Sequence, residues 1–265
     1  MSKSPNAQKK FQSQLHKFTE TNTSFKVVYS TLSTHITPGT TRLCILDSSF
    51  NPPHKGHLSL ITKSINHSKD QTCSVLLLLS VQNADKLTPT PASFEDRLDM
   101  MCLLADYIQE NYKVAVSVAL TNHAKFVDKS SVIQDWAKEI KTKELKYLFL
   151  VGFDTLIRIF DPKYYKPFGI DEALTDFMQL NEFFCLTRTD EKNDDVDAQH
   201  QYVHDIASGK TELPSEWATK IHLVEGDDDY LHISSSTIRK QTNQTNWEAQ
   251  VVPTIAEYIK QEDLY

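Results

Sequence analysis

Signals of membrane, secreted and metal-binding proteins are missing from this chain. It has no apolar run near the roughly eighteen residues that a membrane-spanning helix needs, and its Ser-, Gln- and Lys-rich N-terminus has no signal-peptide pattern. The four cysteines lie singly in apolar segments without a Cys-x-x-Cys pair, which argues against a disulfide framework and a zinc site. We therefore expect no association with a membrane and a location in the cytoplasm, the nucleus or both.

An excess of basic residues is also missing. The chain has 28 Lys and Arg against 35 Asp and Glu, a net charge of −7 and no basic stripe, so we expect no nucleic-acid partner. It shows no internal repeat, no Ser-His-Asp order and no pair of carboxylates suited to catalysis. What is present, 40% hydrophobic residues over 265 positions, is enough for one large core.

The most informative segment that is present is SSFNPPHKGH, residues 48–57. It follows a short apolar run at 43–46 and precedes apolar residues at helical spacing, so it is predicted to lie on a strand-to-helix turn. Free backbone N–H groups and the helix dipole attract anions there. His54 and His57 add imidazole donors, and Gly56 leaves room for a ligand near the backbone. Taken alone, such a histidine pair could be surface decoration or half of a metal site.

A second segment, ISSSTIR at 233–239, follows an acidic run at 227–229. Its hydroxyl residues can cap a short helix that runs to about residue 242. Arg239 falls about one turn into that helix, where its guanidinium could fold back and hold a phosphate with two N–H groups. Taken alone, a serine cluster is usually an ordinary cap or loop.

A third segment places a carboxylate at the end of a predicted strand. The apolar run at 147–151 ends at Gly152-Phe153-Asp154, and a helical pattern follows until Pro162 stops it. Open α/β sheets bind ligands outside the carboxyl ends of their strands, so Asp154 is a candidate ligand for a ribose hydroxyl. Gly-x-Asp also forms many ordinary turns.

Together these segments resemble the nicotinamide or nicotinate mononucleotide adenylyltransferase family, in particular a divergent fungal branch. Residues 48–57 match the Gly-Ser/Thr-Phe-Asn/Asp-Pro-x-His-x-Gly-His signature of adenylyl- and cytidylyltransferases except at Ser48, where the family has glycine. Residues 233–239 resemble the triphosphate-binding motif of the family, with Ser236 in the threonine position. The resemblance covers about residues 43–240.

The resemblance implies a reaction and a set of site residues. The 5′-phosphate of a pyridine mononucleotide attacks the α-phosphate of ATP, and pyrophosphate leaves with Mg²⁺, which is held mostly by phosphates and water. The implied catalytic residues are His54, His57 and Arg239. The implied ATP-binding residues are Ser48, Ser49, Phe50, Gly56, Gly152, Asp154, Ser234, Ser235 and Ser236.

Two residues are implied for the mononucleotide. Lys86 lies on a predicted loop and could reach its phosphate, or could simply be solvated. Tyr165 stands where eukaryotic members have a tryptophan that stacks on the pyridine ring, or it could pack over the edge of the core. A second tryptophan of the family has no counterpart at 118–122. The chain could therefore instead be a transferase for another phosphorylated acceptor, or an ATP-binding or ATP-hydrolysing regulatory protein.

The predicted fold is α/β, a Rossmann-like doubly wound parallel sheet of the nucleotidyltransferase superfamily. Predicted strands lie near residues 43–48, 73–81, 114–120, 146–152, 182–188 and 221–224. Residues 1–10 are predicted to be a disordered tail and 190–198 a mobile loop. Residues 11–265 are predicted to form a single domain, in which 11–40 are an extension that either docks on the core or stands apart.

Overall fold

The computed structural model describes residues 5–21, 23–67, 71–81, 91–140, 145–187, 195–227, 229–230, 232–242 and 246–265. The described strands form one seven-stranded sheet in the order β1-β4-β3-β2-β5-β6-β7. Their bounds are β1 Phe25–Ser30, β2 Arg42–Asp47, β3 Cys73–Ser80, β4 Val116–Thr121, β5 Lys146–Gly152, β6 Asn181–Leu186 and β7 Ile221–Val224. All neighbouring pairs are parallel except β1 with β4, which is antiparallel.

Helices cover both faces of the sheet. Their bounds are α1 Pro5–Glu20, α2 Lys55–His67, α3 Phe94–Tyr112, α4 Phe126–Glu139, α5 Phe153–Ile159, α6 Ile170–Leu180, α7 Val196–Ala207, α8 Ser235–Gln241 and α9 Pro253–Gln261. Strand β2 shows the two faces: Cys44 and Leu46 pack with α2, α3 and α9, whereas Leu43 and Ile45 pack with α4, α5 and α6. The continuous apolar strands of the sequence are therefore strands buried on both sides.

This architecture confirms the predicted fold class and all six predicted strands, whose ends lie within about two residues of the observed ones, the usual uncertainty of such bounds. The leading segment proves to be docked rather than an appendage. Strand β1 pairs with β4, and Phe11 and Phe18 of α1 are buried in the core.

Two predictions of disorder are wrong in part. Helix α1 begins at Pro5, inside the predicted tail of residues 1–10. Proline is favoured in the first turn of a helix, and the buried face further along α1 fixes that helix on the core. Helix α7 begins at Val196, inside the predicted loop 190–198, because the side chain of Asp195 accepts a hydrogen bond from the N–H of Ala198 and caps it. Residues 188–194 lie outside the described part of the chain.

The side chain of Ser93 caps the N-terminus of helix α3. Ser93 Oγ accepts a hydrogen bond from the N–H of Asp96 at 3.1 Å and donates one to Asp96 Oδ2 at 2.6 Å. Ser93 is exposed, so its contribution to stability comes from the cap and not from packing.

We predict that Ser93→Ala lowers the free energy of unfolding by about 1 kcal/mol, because a backbone N–H of the first turn loses its acceptor. Chemical denaturation measures the change. Ser93→Asn is the matched control, since its side chain keeps an acceptor oxygen at the same place. Equal losses in the two variants would contradict the cap assignment.

Candidate active site

A cavity of about 450 Å³ opens at the carboxyl ends of β2, β5 and β6. The chain builds β2, β3 and β4 on one side of this point and then crosses to β5, β6 and β7 on the other. Ligands of doubly wound folds bind in the crevice at such a reversal of strand order. The residues that were predicted from sequence and line the cavity are Ser48, Ser49, His54, Gly56, His57, Gly152, Asp154, Ser234, Ser235, Ser236 and Arg239.

The two histidines lie at the entrance to α2, and their rings are in contact, with centroids 3.8 Å apart and planes tilted by 35°. The backbone N–H of His54 donates to His57 Nδ1 at 3.1 Å. Because Nδ1 is an acceptor, the proton of the neutral imidazole lies on Nε2. Nε2 is 3.0 Å from Ser48 Oγ, to which it donates. His57 therefore presents an N–H donor at the wall of the cavity.

Ser48 fits its position although the family signature has glycine there. Its backbone φ is not positive, so the turn does not require glycine at this point. Its hydroxyl lines the cavity and holds the imidazole of His57. The serine thus provides an acceptor for the donor of His57.

Gly56 is the position in this loop where a side chain would collide. A Cβ built there would lie 3.0 Å from both Cε1 and Nδ1 of His54. A contact of 3.0 Å is tighter than nine in ten real Cβ contacts, so the imidazole would have to shift by a few tenths of an ångström. The glycine of the motif thus leaves room for His54 at its observed position.

Helix α8 joins the second motif to the first. Ser234 caps the helix by accepting a hydrogen bond from the N–H of Thr237 at 3.1 Å. Ser235 Oγ donates to the carbonyl oxygen of Pro52 at 2.9 Å. A terminal nitrogen of Arg239 donates to the carbonyl oxygen of Asn51 at 2.6 Å. The hydroxyls and the guanidinium therefore share one cavity wall with the histidines.

Charges around the cavity are largely balanced. The carboxylate of Asp47 pairs with Lys129, and both side chains are almost fully buried. Asp227 pairs with Lys63 at 2.8 Å and accepts a hydrogen bond from Ser59. Burial alone would raise the pKa of Asp227, but the bonds from Lys63 and Ser59 outweigh it and lower that pKa. Two cavity carboxylates are thus neutralised and do not repel an anion.

Two of the predicted site residues that the structure describes, Phe50 and Tyr165, do not line this cavity. Phe50 is 0% exposed and packs in the core, with its ring centroid 5.2 Å from that of His57. Its side chain therefore supports the imidazole of His57 and does not face the cavity. This position corrects the prediction that Phe50 contacts ATP directly. Lys86 lies outside the described residues.

Tyr165 is turned into the core. It is 9% exposed, packs with the apolar residues of β5 and α6, and donates its hydroxyl to the carbonyl oxygen of Ile159 at 2.6 Å. Burial raises the pKa of Tyr165 to about 12. This orientation corrects the predicted stacking role and supports the packing alternative.

Sequence reasoning did not find the two carboxylate pairs of the cavity. Asp47 had a usable signal, because it lies at the carboxyl end of a predicted buried strand, where ligand-facing groups lie. Lys129 and Lys63 had none, since each lies on a helix as an ordinary charged residue.

The described residues show neither a metal cluster nor a membrane-spanning helix. No group of three or more His, Cys, Asp or Glu side chains within those residues could hold a metal ion. None of the helices that they form combines the length and the apolar character needed to cross a membrane.

Comparison with known proteins agrees with the geometry. A family model described as cytidylyltransferase-like matches residues 45–241, which include both motifs. The chain belongs to the cytidylyltransferase-like family. A curated relative from Schizosaccharomyces pombe, named "Putative nicotinamide mononucleotide adenylyltransferase", is 39% identical over 182 residues, which cover 68% of this chain and 67% of the relative. The resemblance drawn from the motifs is confirmed.

Solved structures of Plasmodium falciparum nicotinic acid mononucleotide adenylyltransferase share the fold. The complex with NaAD has a TM-score of 0.56 at 15% identity and the complex with APC has 0.53 at 16% identity. Each alignment covers 84% of this chain and 96% of the solved chain. The Rossmann-like arrangement of a nucleotidyltransferase is therefore common to this family member and these enzymes.

We predict that Arg239→Lys weakens ATP binding about tenfold, because lysine cannot keep the bond to the Asn51 carbonyl and also present a planar pair of donors to a phosphate. Titration calorimetry with MgATP measures the dissociation constant. Lys240→Arg, one position further along α8, is the control for a change of basic side chain. Unchanged affinity in the Arg239 variant would remove the guanidinium from the site.

Proposed function

We propose that this protein is an adenylyltransferase that joins ATP and a pyridine mononucleotide to give a dinucleotide and pyrophosphate. The observation that carries the proposal is the junction of the two motifs, in which Arg239 and Ser235 bind the backbone of the loop that bears His54 and His57. The names of the Schizosaccharomyces and Plasmodium relatives support a mononucleotide as the acceptor.

In this proposal ATP lies across the cavity from α8 to the entrance of α2. Ser234, Ser235, Ser236 and Arg239 bind the β- and γ-phosphates. The α-phosphate lies at His57, near the N-terminal end of the thirteen-residue helix α2, where backbone N–H groups and the dipole favour an anion. Asp154, at the end of β5, binds the ribose of the nucleotide.

The chemistry requires positioning and charge neutralisation, and no covalent intermediate. A phosphate oxygen of the mononucleotide attacks the α-phosphorus, and the bond to the leaving pyrophosphate breaks on the opposite side. Charge that builds on the α-phosphate oxygens is met by the N–H of His57, which turns from Ser48 Oγ to the phosphate. Arg239 neutralises the leaving pyrophosphate.

Mg²⁺ enters this scheme with the ATP. The ion prefers oxygen ligands and commonly keeps several waters beside substrate phosphates. Asp47 and Asp227 are engaged with Lys129 and Lys63, so the donor set of the cavity fits an ion held mainly by phosphates and water. When bound, Mg²⁺ supplies positive charge to the phosphates. We further propose that the protein acts in the cytoplasm or the nucleus.

One observation favours a second candidate, an ATP-binding or ATP-hydrolysing regulatory protein. The buried Tyr165 leaves the acceptor side without its predicted stacking aromatic. Such a protein would use the same triphosphate site, so only the dependence on an acceptor separates the two functions.

The proposal is tested by incubating the protein with MgATP and either nicotinamide or nicotinate mononucleotide. We expect equal amounts of dinucleotide and pyrophosphate, quantified by chromatography, from at least one acceptor. In the His57→Ala variant the developing charge loses a hydrogen-bond donor. The activation free energy that kcat reports should therefore rise by about 2.7–4 kcal/mol, as for an oxyanion-hole donor. His204→Ala, on the far helix α7, is the control. ATP consumption that is independent of mononucleotide, with no dinucleotide formed, would favour the second candidate and overturn the first.

A further inference from the structure

A tyrosine far along the chain reaches the loop that carries the histidines. The hydroxyl of Tyr265 donates to Asn51 Oδ1 at 2.7 Å, and the main-chain oxygen of Tyr265 accepts a hydrogen bond from Thr242 at 2.8 Å. The side chain is half-buried against the same core that α2 and α3 cover. Tyr265 is thereby fastened both to Asn51 in the histidine loop and to Thr242 at the C-terminal end of α8.

The orientation of Asn51 affects two other parts of the site. It is 1% exposed, and its Nδ2 has no hydrogen-bond partner among the described residues. Its main-chain oxygen is the acceptor for Arg239. The residue before it, Phe50, has a φ of 45°, an orientation that a bulky side chain adopts only when its surroundings hold it. The orientation of Asn51 therefore bears on both Arg239 and the turn that leads to His54.

The protonation state of the Tyr265 hydroxyl supports its role as a hydrogen-bond donor. Burial raises the pKa of Tyr265, and the nearby positive charges of Arg239 and Arg97 only partly oppose this. The hydroxyl is thus protonated at neutral pH and can donate to the amide oxygen of Asn51. Without that bond, a buried amide would keep neither its orientation nor its acceptor satisfied.

We propose that Tyr265 is a positioning residue of the ATP site, which acts by fixing Asn51 and, through it, the seat of Arg239 and the histidine loop. The inference rests on the proposed function only in that ATP is the ligand of the cavity. It assigns to the segment after α9 a part in nucleotide binding that neither motif reveals.

The test is a double-mutant cycle on nucleotide affinity. Binding of the β,γ-imido analogue of ATP with Mg²⁺, without acceptor, is measured by calorimetry for the wild type, Tyr265→Phe, Asn51→Ala and the double variant. Tyr265→Phe should weaken binding about three- to tenfold, the range of one hydrogen bond. In the Asn51→Ala background the same substitution should change affinity less than twofold, because the contact is already absent.

Tyr258→Phe is the matched control. Its hydroxyl fastens α9 to α3, through bonds to Asp96 at 2.9 Å and Asp99 at 3.1 Å. Tyr258→Phe should lower the melting temperature and leave the affinity within twofold of wild type. An affinity loss in Tyr265→Phe that persists in the Asn51→Ala background, or an equal loss in Tyr258→Phe, would reduce Tyr265 to a packing residue.

The two proposals fail separately. Unchanged affinity in Tyr265→Phe overturns the positioning role and leaves adenylyl transfer untouched. A wild-type protein that binds the analogue and forms no dinucleotide overturns the proposed function, while the cycle still decides the role of Tyr265.

Discussion

The hydrogen bond from Arg239 to the carbonyl oxygen of Asn51 is the contact on which the candidate site depends. It spans 188 positions of sequence and brings a helix that follows β7 against the loop that follows β2. With the bond from Ser235 to Pro52, it makes two segments that are far apart in the sequence into the wall of one cavity. Without this junction the hydroxyls of α8 and the histidines would not line the same cavity.

The sheet places the two segments so that this contact can form. Strand β2 lies in the middle, with β3 and β5 as its neighbours, so the loop after β2 opens at the reversal of strand order. The paired charges then make the cavity acceptable to an anion. Lys129 and Lys63 neutralise the carboxylates of Asp47 and Asp227, which would otherwise repel phosphates at short range. The strand order and the paired charges thus both favour an anionic ligand in this cavity.

Sequence and structure contributed different parts of this account. Continuous apolar runs predicted the strands from β2 to β7, since a strand buried on both faces needs apolar residues throughout. Most of the site residues that the motifs predicted line the cavity, because the spacing of each motif fixes a local turn. The motifs did not predict the direction in which a side chain points. Tyr165 has the expected position after Pro162, yet its bond to Ile159 and the surrounding core turn it inward.

Contacts between residues that are distant in the sequence could not be predicted from it either. Lys129 lies 82 positions from Asp47, and Tyr265 lies 214 positions from Asn51. Neither pair has a local pattern, because tertiary packing alone brings them together. Phe50 shows that a local motif can also mislead. Its place in the motif suggested contact with ATP, whereas the turn directs its ring into the core.

A crystal structure with Mg²⁺ and the α,β-methylene analogue of ATP would test the central claim most directly. The account predicts the α-phosphate within hydrogen-bonding distance of His57 Nε2, about 2.7–3.2 Å, with the terminal phosphates on Ser235 and Arg239. The bond between His57 and Ser48 should then be broken. A triphosphate bound elsewhere, with His57 still donating to Ser48, would contradict the claim that the junction of α8 with the histidine loop forms the nucleotide site.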